Sequence, residues 1–339
     1  MAVTIKDVAT VTGLSIATIS KCINGIKIKD ENKEKISRAI VELGYKVNYS
    51  AQELKTNKSK TIGILIPTFE SYFSTKYVSY IEDVLQNYQY SAIICDYNKN
   101  EELEKAKLEF LLSKNVDGII ILPYEEFENY TDIIKPLVEN EVPFVILDKC
   151  FENIDCDCLM LDNIEICYNA TRLLIEKGHR RIAVIVGLKS SMTTLERLEG
   201  YKKALLEHSI PIDEELIFFG SARYQAKSGK SSIYSMLELE DKPTAVFVTN
   251  YEMTLGAVIA VNEININIPE ELSLIGFDDL RLSEIFKPKL TIVTQPMKLM
   301  GEMTANILLK RIQGDYSDFP IKKRLKGNIK VGKSVKSIK

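Results

Sequence analysis

The chain has few of the residues on which catalytic and metal sites most often depend. Among 339 residues there are two histidines and no tryptophan. The six cysteines contain no CxxC pair: Cys22, Cys95, Cys150, Cys156, Cys158 and Cys167. This is not the pattern of a zinc site, and we expect no metal and no other cofactor. Several cysteines lie inside apolar runs, as Cys95 does in SAIIC, which favours buried, reduced thiols.

The chain also lacks long apolar runs. No segment approaches the roughly 18 consecutive apolar residues that a membrane helix needs. The opening segment MAVTIKDVA has neither the basic start nor the apolar stretch of a signal peptide. We therefore expect a cytoplasmic protein that does not contact membranes.

Two common catalytic motifs are missing as well. The sequence contains no GxSxG and no GxGxxG. Two histidines also supply little acid–base chemistry. An enzyme on an α/β scaffold is an alternative that little in the sequence supports, and we expect no enzymatic activity.

The charges that are present are distributed unevenly. Residues 1–60 hold 11 Lys and Arg against 6 Asp and Glu, a net charge of +5. Because the whole chain carries −3, the remainder carries −8. A basic head on an acidic body indicates a polyanionic partner for the head alone.

Three short helical patterns open the chain. The first begins at a capping box, Thr4 with Asp7, and ends at Gly13. The second begins at Ser15 and closes at Gly25, and the third covers about 30–43. A helix, a tight turn and a capped helix are the plan of a helix-turn-helix.

The second helix has two distinct faces. Ile19, Cys22 and Ile23 cluster on one side at helical spacing, whereas Ala17 and Lys21 lie opposite. An outward methyl group and an outward cation suit base reading in the major groove. The alternative is an ordinary solvated face of a three-helix bundle.

From residue 61 onward, apolar strands alternate with amphipathic helices, which implies parallel sheets covered on both faces. Strand-like runs are TIGILIP, SAIICD, DGIIIL, PFVILD, RIAVIVG, TAVFVTN and LSLIGFDD. Helical patterns cover 77–88, 101–113, 164–177, 195–206 and 253–262. Ligands of such sheets bind at the carboxyl ends of the strands, where this chain places Asp148, Asn250 and Asp278. Each of these residues could instead be a turn or cap residue.

The segment TIKDVATVTGLSIATISKCING closely resembles the DNA-binding headpiece of the LacI/GalR family of bacterial regulators. The similarity extends through IVELGYKVN and over almost the whole chain, with VDGIIILP, EKGHRRIAVI, ERLEGYKKAL and IPEELSLIGFDD as further echoes. It implies an N-terminal all-α helix-turn-helix headpiece followed by an α/β periplasmic-binding-protein-like sensor of two lobes. The corresponding DNA-binding residues are Thr4, Ser15, Ile16, Ala17, Thr18, Lys21, Asn24, Tyr45 and Leu54.

The resemblance also implies domain boundaries. The headpiece covers 1–46, a hinge helix and linker cover 47–60, and the effector-binding domain covers 61–335. The first lobe takes about 61–162 and 291–318, and the second about 163–290 and 319–335.

The hinge departs from the family pattern. Leu54 stands where the family wedges a leucine into the minor groove. Val47, Gln52 and Glu53, however, replace the usual Pro, Arg and Ser. Losing a cation and gaining an anion weakens contact with phosphates, so a wedge and a plain linker both stay open.

The resemblance implies an effector site between the lobes. Its residues are Phe73, Asp148, Arg197, Tyr224, Asn250, Asp278 and Gln295. Carboxylates, amides and a guanidinium suit the hydroxyl groups of a sugar. Arg197 has an alternative role in a salt bridge within its own helix, to Glu196 or Glu199. Tyr251 stands where the family usually has Asp, which favours a ligand other than an unmodified hexose.

We therefore expect a sequence-specific transcriptional regulator, most simply a repressor, that binds double-stranded DNA as a homodimer. A small molecule, a sugar or a derivative, controls its affinity for a pseudo-palindromic operator. Induction and co-repression both stay open, as do dimer and tetramer. The rival interpretation, a solute-binding protein for transport, shares the fold of the body but requires export.

Overall fold

A computed structural model describes residues 3–23, 27–45, 58–124, 130–151, 153–221, 225–278 and 282–338. The chain divides into two compact units, Met1–Ser59 and Lys60–Lys339. Within the part of the chain that the structure describes, no helix is long and apolar enough to cross a membrane.

The first unit contains the three predicted helices, α1 (Ile5–Thr12), α2 (Ile16–Ile23) and α3 (Asp30–Leu43). At the start of α1, the Asp7 carboxylate accepts hydrogen bonds from the backbone N–H and the hydroxyl of Thr4, at 2.7 and 2.8 Å. Gly13 ends α1 with φ 68°, a left-handed conformation that glycine adopts without strain. The capping box and the first helix end are thus confirmed, whereas Gly25 lies outside the described residues.

A small apolar core joins these helices. Val8, Ile19 and Ile36, one from each helix, are fully buried, and Ala39 is nearly so. Leu14, Cys22 and other partly buried apolar side chains pack around them. Because the apolar faces point inward, the opposite face of α2 is left to solvent.

The second unit alternates strands and helices. In chain order its elements are β1 (Thr61–Ile66), α4 (Tyr72–Asn87), β2 (Ser91–Asp96), α5 (Glu101–Ser113), β3 (Gly118–Ile121), α6 (Tyr130–Glu139), β4 (Phe144–Leu147), β5 (Asp157–Leu161), α7 (Asn163–Glu176), β6 (Ile182–Val186), α8 (Met192–Glu207), β7 (Ile217–Phe219), α9 (Gln225–Glu238), β8 (Ala245–Val248), α10 (Tyr251–Glu263), β9 (Ser273–Phe277), α11 (Leu282–Ile285), β10 (Thr291–Thr294), α12 (Met297–Ile312), β11 (Lys322–Leu325) and β12 (Asn328–Lys330).

The strands form two six-stranded sheets, one in each lobe. The first has the order β11-β5-β4-β3-β1-β2 and the second the order β12-β10-β9-β8-β6-β7. All pairings are parallel except that of β10 with β12. Strands such as β3, β6 and β9 are buried along their whole length because helices cover both faces of each sheet. The predicted parallel two-lobed architecture is confirmed.

The predicted lobe boundaries are wrong near the C-terminus. Strand β10, which we assigned to the first lobe, pairs with β9 in the second sheet. Strand β11, which we assigned to the second lobe, pairs with β5 in the first sheet. The chain therefore crosses between the lobes after β5, after β10 and after β11.

Two cysteines also differ from expectation. Cys150 and Cys158 form a disulfide, with Cα atoms 5.5 Å apart, instead of carrying reduced thiols. The reason is the sheet register: Cys158 of β5 lies beside Ile146 of β4, and the loop after β4 returns Cys150 to the same place. The other cysteines are free, and Cys95, Cys156 and Cys167 are buried as predicted.

Candidate functional site

A cleft of about 410 Å³ lies between the two lobes. Residues that follow strands β1, β3, β4, β8 and β9 line it, so the carboxyl ends of both sheets meet there. Its lining comprises Pro67, Thr68, Glu70, Ser71, Tyr72, Phe73, Ser74, Lys99, Leu122, Pro123, Tyr124, Asp148, Thr193, Arg197, Asn250, Tyr251, Glu252, Asp278, Gln295 and Met297. Six of the seven predicted effector residues are in this set. The seventh, Tyr224, lies outside the described residues.

Asp278 is a buried carboxylate of the cleft. It ends β9 in a left-handed conformation, φ 62°, and only 8% of the residue is exposed. Gln295 donates its Nε2 to both carboxylate oxygens, at 3.0 and 3.1 Å. Burial raises the pKa of Asp278 to about 6, although the Arg197 charge and the Gln295 hydrogen bonds oppose that rise.

Arg197 is buried and held from several directions. Its Nε donates to Asn163 Oδ1 at 2.9 Å, and its Nη1 donates to the Thr249 carbonyl at 2.5 Å. The guanidinium carbon lies 4.2 Å from the ring centroid of Phe277, a cation–π contact. The alternative salt bridge to Glu196 or Glu199 is not formed, and Arg197 instead faces the cleft.

Asp148 is the counterpart of Asp278 in the first lobe. It follows β4 with φ 74°, and its backbone N–H donates to the Leu159 carbonyl at 2.7 Å. Burial raises the pKa of the Tyr77 hydroxyl, and the charges of Asp148 and Asp278 raise it further. Carboxylates from both lobes are therefore within electrostatic range of one buried phenol.

Asn250 lines the cleft and also caps a helix. Its Oδ1 accepts the Met253 N–H at 2.9 Å and so caps α10. This leaves the amide nitrogen as the donor that a ligand could use.

Aromatic and hydroxyl groups from α4 complete the wall in the first lobe. Phe73 packs edge-on against Tyr77, with ring centroids 4.6 Å apart. Ser74 is 1% exposed, and its Oγ has no hydrogen-bond partner among the described residues. The buried Gln295 Oε1 also has no hydrogen-bond partner among the described residues. Two side chains that line the cleft therefore each carry an unpaired buried polar atom.

Sequence reasoning missed several lining residues. Thr193 and Tyr124 were not singled out. Thr193 lies in the first turn of α8, the helix that follows β6. Tyr124 follows β3 closely, so the strand-end rule could have found it. Lys99 follows β2 in the same way.

In the first unit, the outward face of α2 carries the predicted base-reading side chains. Ile16, Ala17 and Lys21 are exposed, with Ile16 at 41%. Thr4 and Ser15 are also exposed, at the starts of α1 and α2, and the Ser15 hydroxyl accepts the Thr18 N–H at 3.2 Å.

The remaining predicted DNA-contact residues divide into two groups. Tyr45 is half-buried against the small core of the headpiece. Asn24 and Leu54, with the hinge segment 46–57, lie outside the described residues.

The geometry defines a class of protein: a helix-turn-helix unit with an exposed second helix, and a two-lobed unit with a polar ligand cleft. Comparison with known proteins identifies the family. Residues 4–48 match the bacterial regulatory proteins of the lacI family. Residues 59–328 match the periplasmic binding proteins and sugar binding domain of the LacI family. The chain belongs to the LacI family, and it is a DNA-binding transcription regulator, not an enzyme.

Relatives and solved structures cover nearly the whole chain. The HTH-type transcriptional regulator RegA of Clostridium saccharobutylicum is 36% identical over 94% of this chain and 96% of its own. The Lac repressor dimer, bound to operator and the anti-inducer ONPF, superposes with a TM-score of 0.85 at 25% identity, covering 99% and 100% of the two chains. The transcriptional regulator CelR in complex with cellobiose gives a TM-score of 0.74 at 27% identity, covering 98% and 99%.

Proposed function

We propose that this regulator is a cytoplasmic homodimeric repressor whose affinity for a pseudo-palindromic operator is set by a sugar or sugar derivative bound in the cleft between its lobes. One observation carries the proposal. Asp278, Arg197 and Gln295 form a buried polar group at one end of the cleft, where Gln295 has an acceptor that no described residue pairs. A polyol offers both donors and acceptors to such a group.

The likeness to ligand-bound regulators supports the ligand class. CelR binds cellobiose, and the Lac repressor structure contains ONPF. The acidic character of the cleft, with Glu70, Asp148, Glu252 and Asp278 against Lys99 and Arg197, favours a neutral ligand with many hydroxyl groups over an anionic one.

A thermal-shift screen with cellobiose, ribose and o-nitrophenyl galactoside tests the sensor. A sugar that binds only the folded protein raises its melting temperature. We expect Asp278→Ala to weaken binding of an active sugar by roughly tenfold to a hundredfold, since a charge-assisted hydrogen bond contributes about 1.5–3 kcal/mol. Arg197→Ala should behave likewise, while effector-free operator affinity stays near normal. If Asp278→Ala switches with an unchanged dose-response, the sensor lies elsewhere.

The DNA-binding side chains have their own test. Lys21 is exposed on α2, so Lys21→Ala should weaken specific operator binding by roughly 1–3 kcal/mol and barely change binding to random DNA. Lys33→Ala, an exposed position on α3 that removes the same charge, is the control. Mobility shifts on both DNAs decide the matter: equal losses on both would make Lys21 a phosphate contact only.

Leu54 completes the proposal as a minor-groove wedge. Leu54→Ala should reduce operator bending in a circular-permutation assay without changing sugar binding. Equal bend angles for variant and parent would assign 47–60 to a plain linker.

A further inference from the structure

The lobes are joined by three chain crossings, and the first two each bring a polar side chain to a cleft residue. The first crossing runs from β5 to α7 and delivers Asn163 to Arg197. The second runs from β10 to α12 and delivers Gln295 to Asp278. The third runs from β11 to β12, and Arg324 lies near the end of β11, just before this crossing.

A continuous set of hydrogen bonds links the third crossing to Arg197. Arg324 Nη2 donates to Glu196 Oε1 at 2.6 Å. Glu196 Oε2 accepts from Asn163 Nδ2 at 3.0 Å, and Asn163 Oδ1 accepts from Arg197 Nε at 2.9 Å. We call these four residues the crossover chain.

The crossover chain spans both lobes. Arg324 lies on β11 of the first sheet, opposite Met160 of β5. Glu196 and Arg197 lie on α8, and Asn163 begins α7, both in the second lobe. The contact between Arg324 and Glu196 is therefore the one link of the chain that a movement of the lobes about their crossings must stretch or shorten.

The contact between Arg324 and Glu196 joins an exposed side chain to a buried one. Asn163, Glu196 and Arg197 are each at most 8% exposed, whereas the Arg324 side chain is 46% exposed. An exposed ion pair alone contributes little. Glu196, however, is a buried carboxylate, and the cation of Arg324 offsets part of the cost of burying its charge. The Asn163 amide donates to Glu196 and accepts from Arg197. A shift of Glu196 therefore also disturbs the hydrogen bond that holds Arg197.

We propose that Arg324 and Glu196 are positioning residues that hold Arg197 for ligand and couple occupancy of the cleft to the relative position of the lobes. This rests on the proposed function, in which Arg197 contacts the ligand. Lobe movement and ligand binding then share one element that both bias, which is what coupling between sites requires.

Hydrogen–deuterium exchange on the full chain tests the chain of bonds without any ligand. Arg324→Gln and Glu196→Gln should each increase exchange at the start of α8, around Arg197, and at the start of α7. The double variant should show no more than the larger single effect, because both remove the same contact. Arg324→Lys, which keeps a cation, should be intermediate.

A matched control exists in the same crossing. Lys326 forms an ion pair with Glu165 at 3.0 Å, also between β11–β12 and α7, but this pair makes no hydrogen bond to the crossover chain. Lys326→Gln should leave exchange around Arg197 as in the parent. Unchanged exchange in Arg324→Gln, or an equal increase in Lys326→Gln, would overturn the proposal.

Operator binding with cellobiose, ribose and o-nitrophenyl galactoside gives the functional readout. We use a sugar that changes the operator dissociation constant of the parent. The ratio of operator dissociation constants with and without that sugar should approach one in Arg324→Gln but not in Lys326→Gln. A merely structural loss would lower the melting temperature and leave that ratio intact, which counts against coupling. If none of the three sugars changes the operator affinity of the parent, the proposed ligand class fails. The exchange experiment then still tests whether the crossover chain positions Arg197.

Discussion

At the scale of single residues, Asp278 is a buried carboxylate whose charge lowers stability at neutral pH. Its carboxylate is removed from water and, among the described residues, receives hydrogen bonds from the amide nitrogen of Gln295. The cation of Arg197 offsets part of that burial cost, and the pKa still rises to about 6. A buried carboxylate that weakens the protein at neutral pH in this way is typical of functional sites.

This gives a prediction for Asp278→Asn. A pKa raised from 3.8 to about 6 means that the folded state holds the proton more tightly than the unfolded state. Stability therefore falls as pH rises from about 4 to about 6, with a cost of about 3 kcal/mol above that window. The uncharged variant should be more stable than the parent at pH 7.5, by up to that amount, and should lose the advantage near pH 4.

Denaturant unfolding at the two pH values measures this effect. Asp83→Asn, at an exposed position on α4, is the control and should leave stability nearly unchanged at both. An Asp278→Asn variant that is less stable than the parent at pH 7.5 would contradict this prediction. It would show that Arg197 and Gln295 stabilise the ionised carboxylate by more than its burial costs. The same variant should bind an active sugar more weakly.

Sequence could locate the cleft residues but not their partners. Asp148, Asn250 and Asp278 stand at strand ends, a position that a pattern of alternating strands and helices reveals. Arg197, by contrast, is held by Asn163 and the Thr249 carbonyl, 34 and 52 residues away in the chain. No local spacing contains such contacts, because they depend on how α7, α8 and β8 pack.

At the scale of secondary-structure elements, strand and helix types were predictable where the apolar pattern was long. Helix α5 was predicted with the observed bounds, and α8 was predicted three residues late at its start, where Ser191 caps it. The short strands β10, β11 and β12 have three or four residues each. A strand of that length carries too little pattern to reveal which sheet it joins, and this is why the lobe boundaries were misplaced.

Helices α9 and α10 contact each other through glycine. A Cβ at Gly256 would lie 1.8 Å from the Ala226 carbonyl oxygen, and one at Gly229 would lie 2.2 Å from the Met253 carbonyl oxygen. Because these neighbours are backbone atoms of packed helices, they cannot move away as a side-chain end could. The two glycines therefore set the separation of the helices on this face of the second sheet.

We expect Gly256→Ala to destabilise the protein by about 1–3 kcal/mol, the usual cost of overpacking, despite a gain in helix propensity of up to about 1 kcal/mol. Asn262→Ala, an exposed position on the same helix, should change stability by much less. Urea unfolding compares them. A Gly256→Ala variant as stable as the parent would mean that the helices separate at no cost.

At the scale of the whole molecule, two compact units divide the work of the regulator. The unit Met1–Ser59 has its own small core and carries α2, whereas Lys60–Lys339 has separate cores around each sheet and contains the cleft. Under the proposed function, DNA binds the first unit, the ligand binds the second, and each influences the binding of the other. Thermodynamic linkage then requires that the influence be reciprocal.

This reciprocity can be measured. If an active sugar changes the operator dissociation constant of the full chain by some factor, operator DNA must change the sugar dissociation constant by the same factor. Random DNA should change it less, since it lacks the base contacts of α2. A fragment of residues 60–339 contains the whole described cleft, so it should bind the sugar as the DNA-free full chain does, and operator DNA should not alter that affinity. Calorimetric titrations of full chain and fragment, each with and without operator, give the four constants. Equal sugar affinities in all four would show that the cleft and the headpiece are not coupled, and the sugar would then not be the signal that this regulator reads.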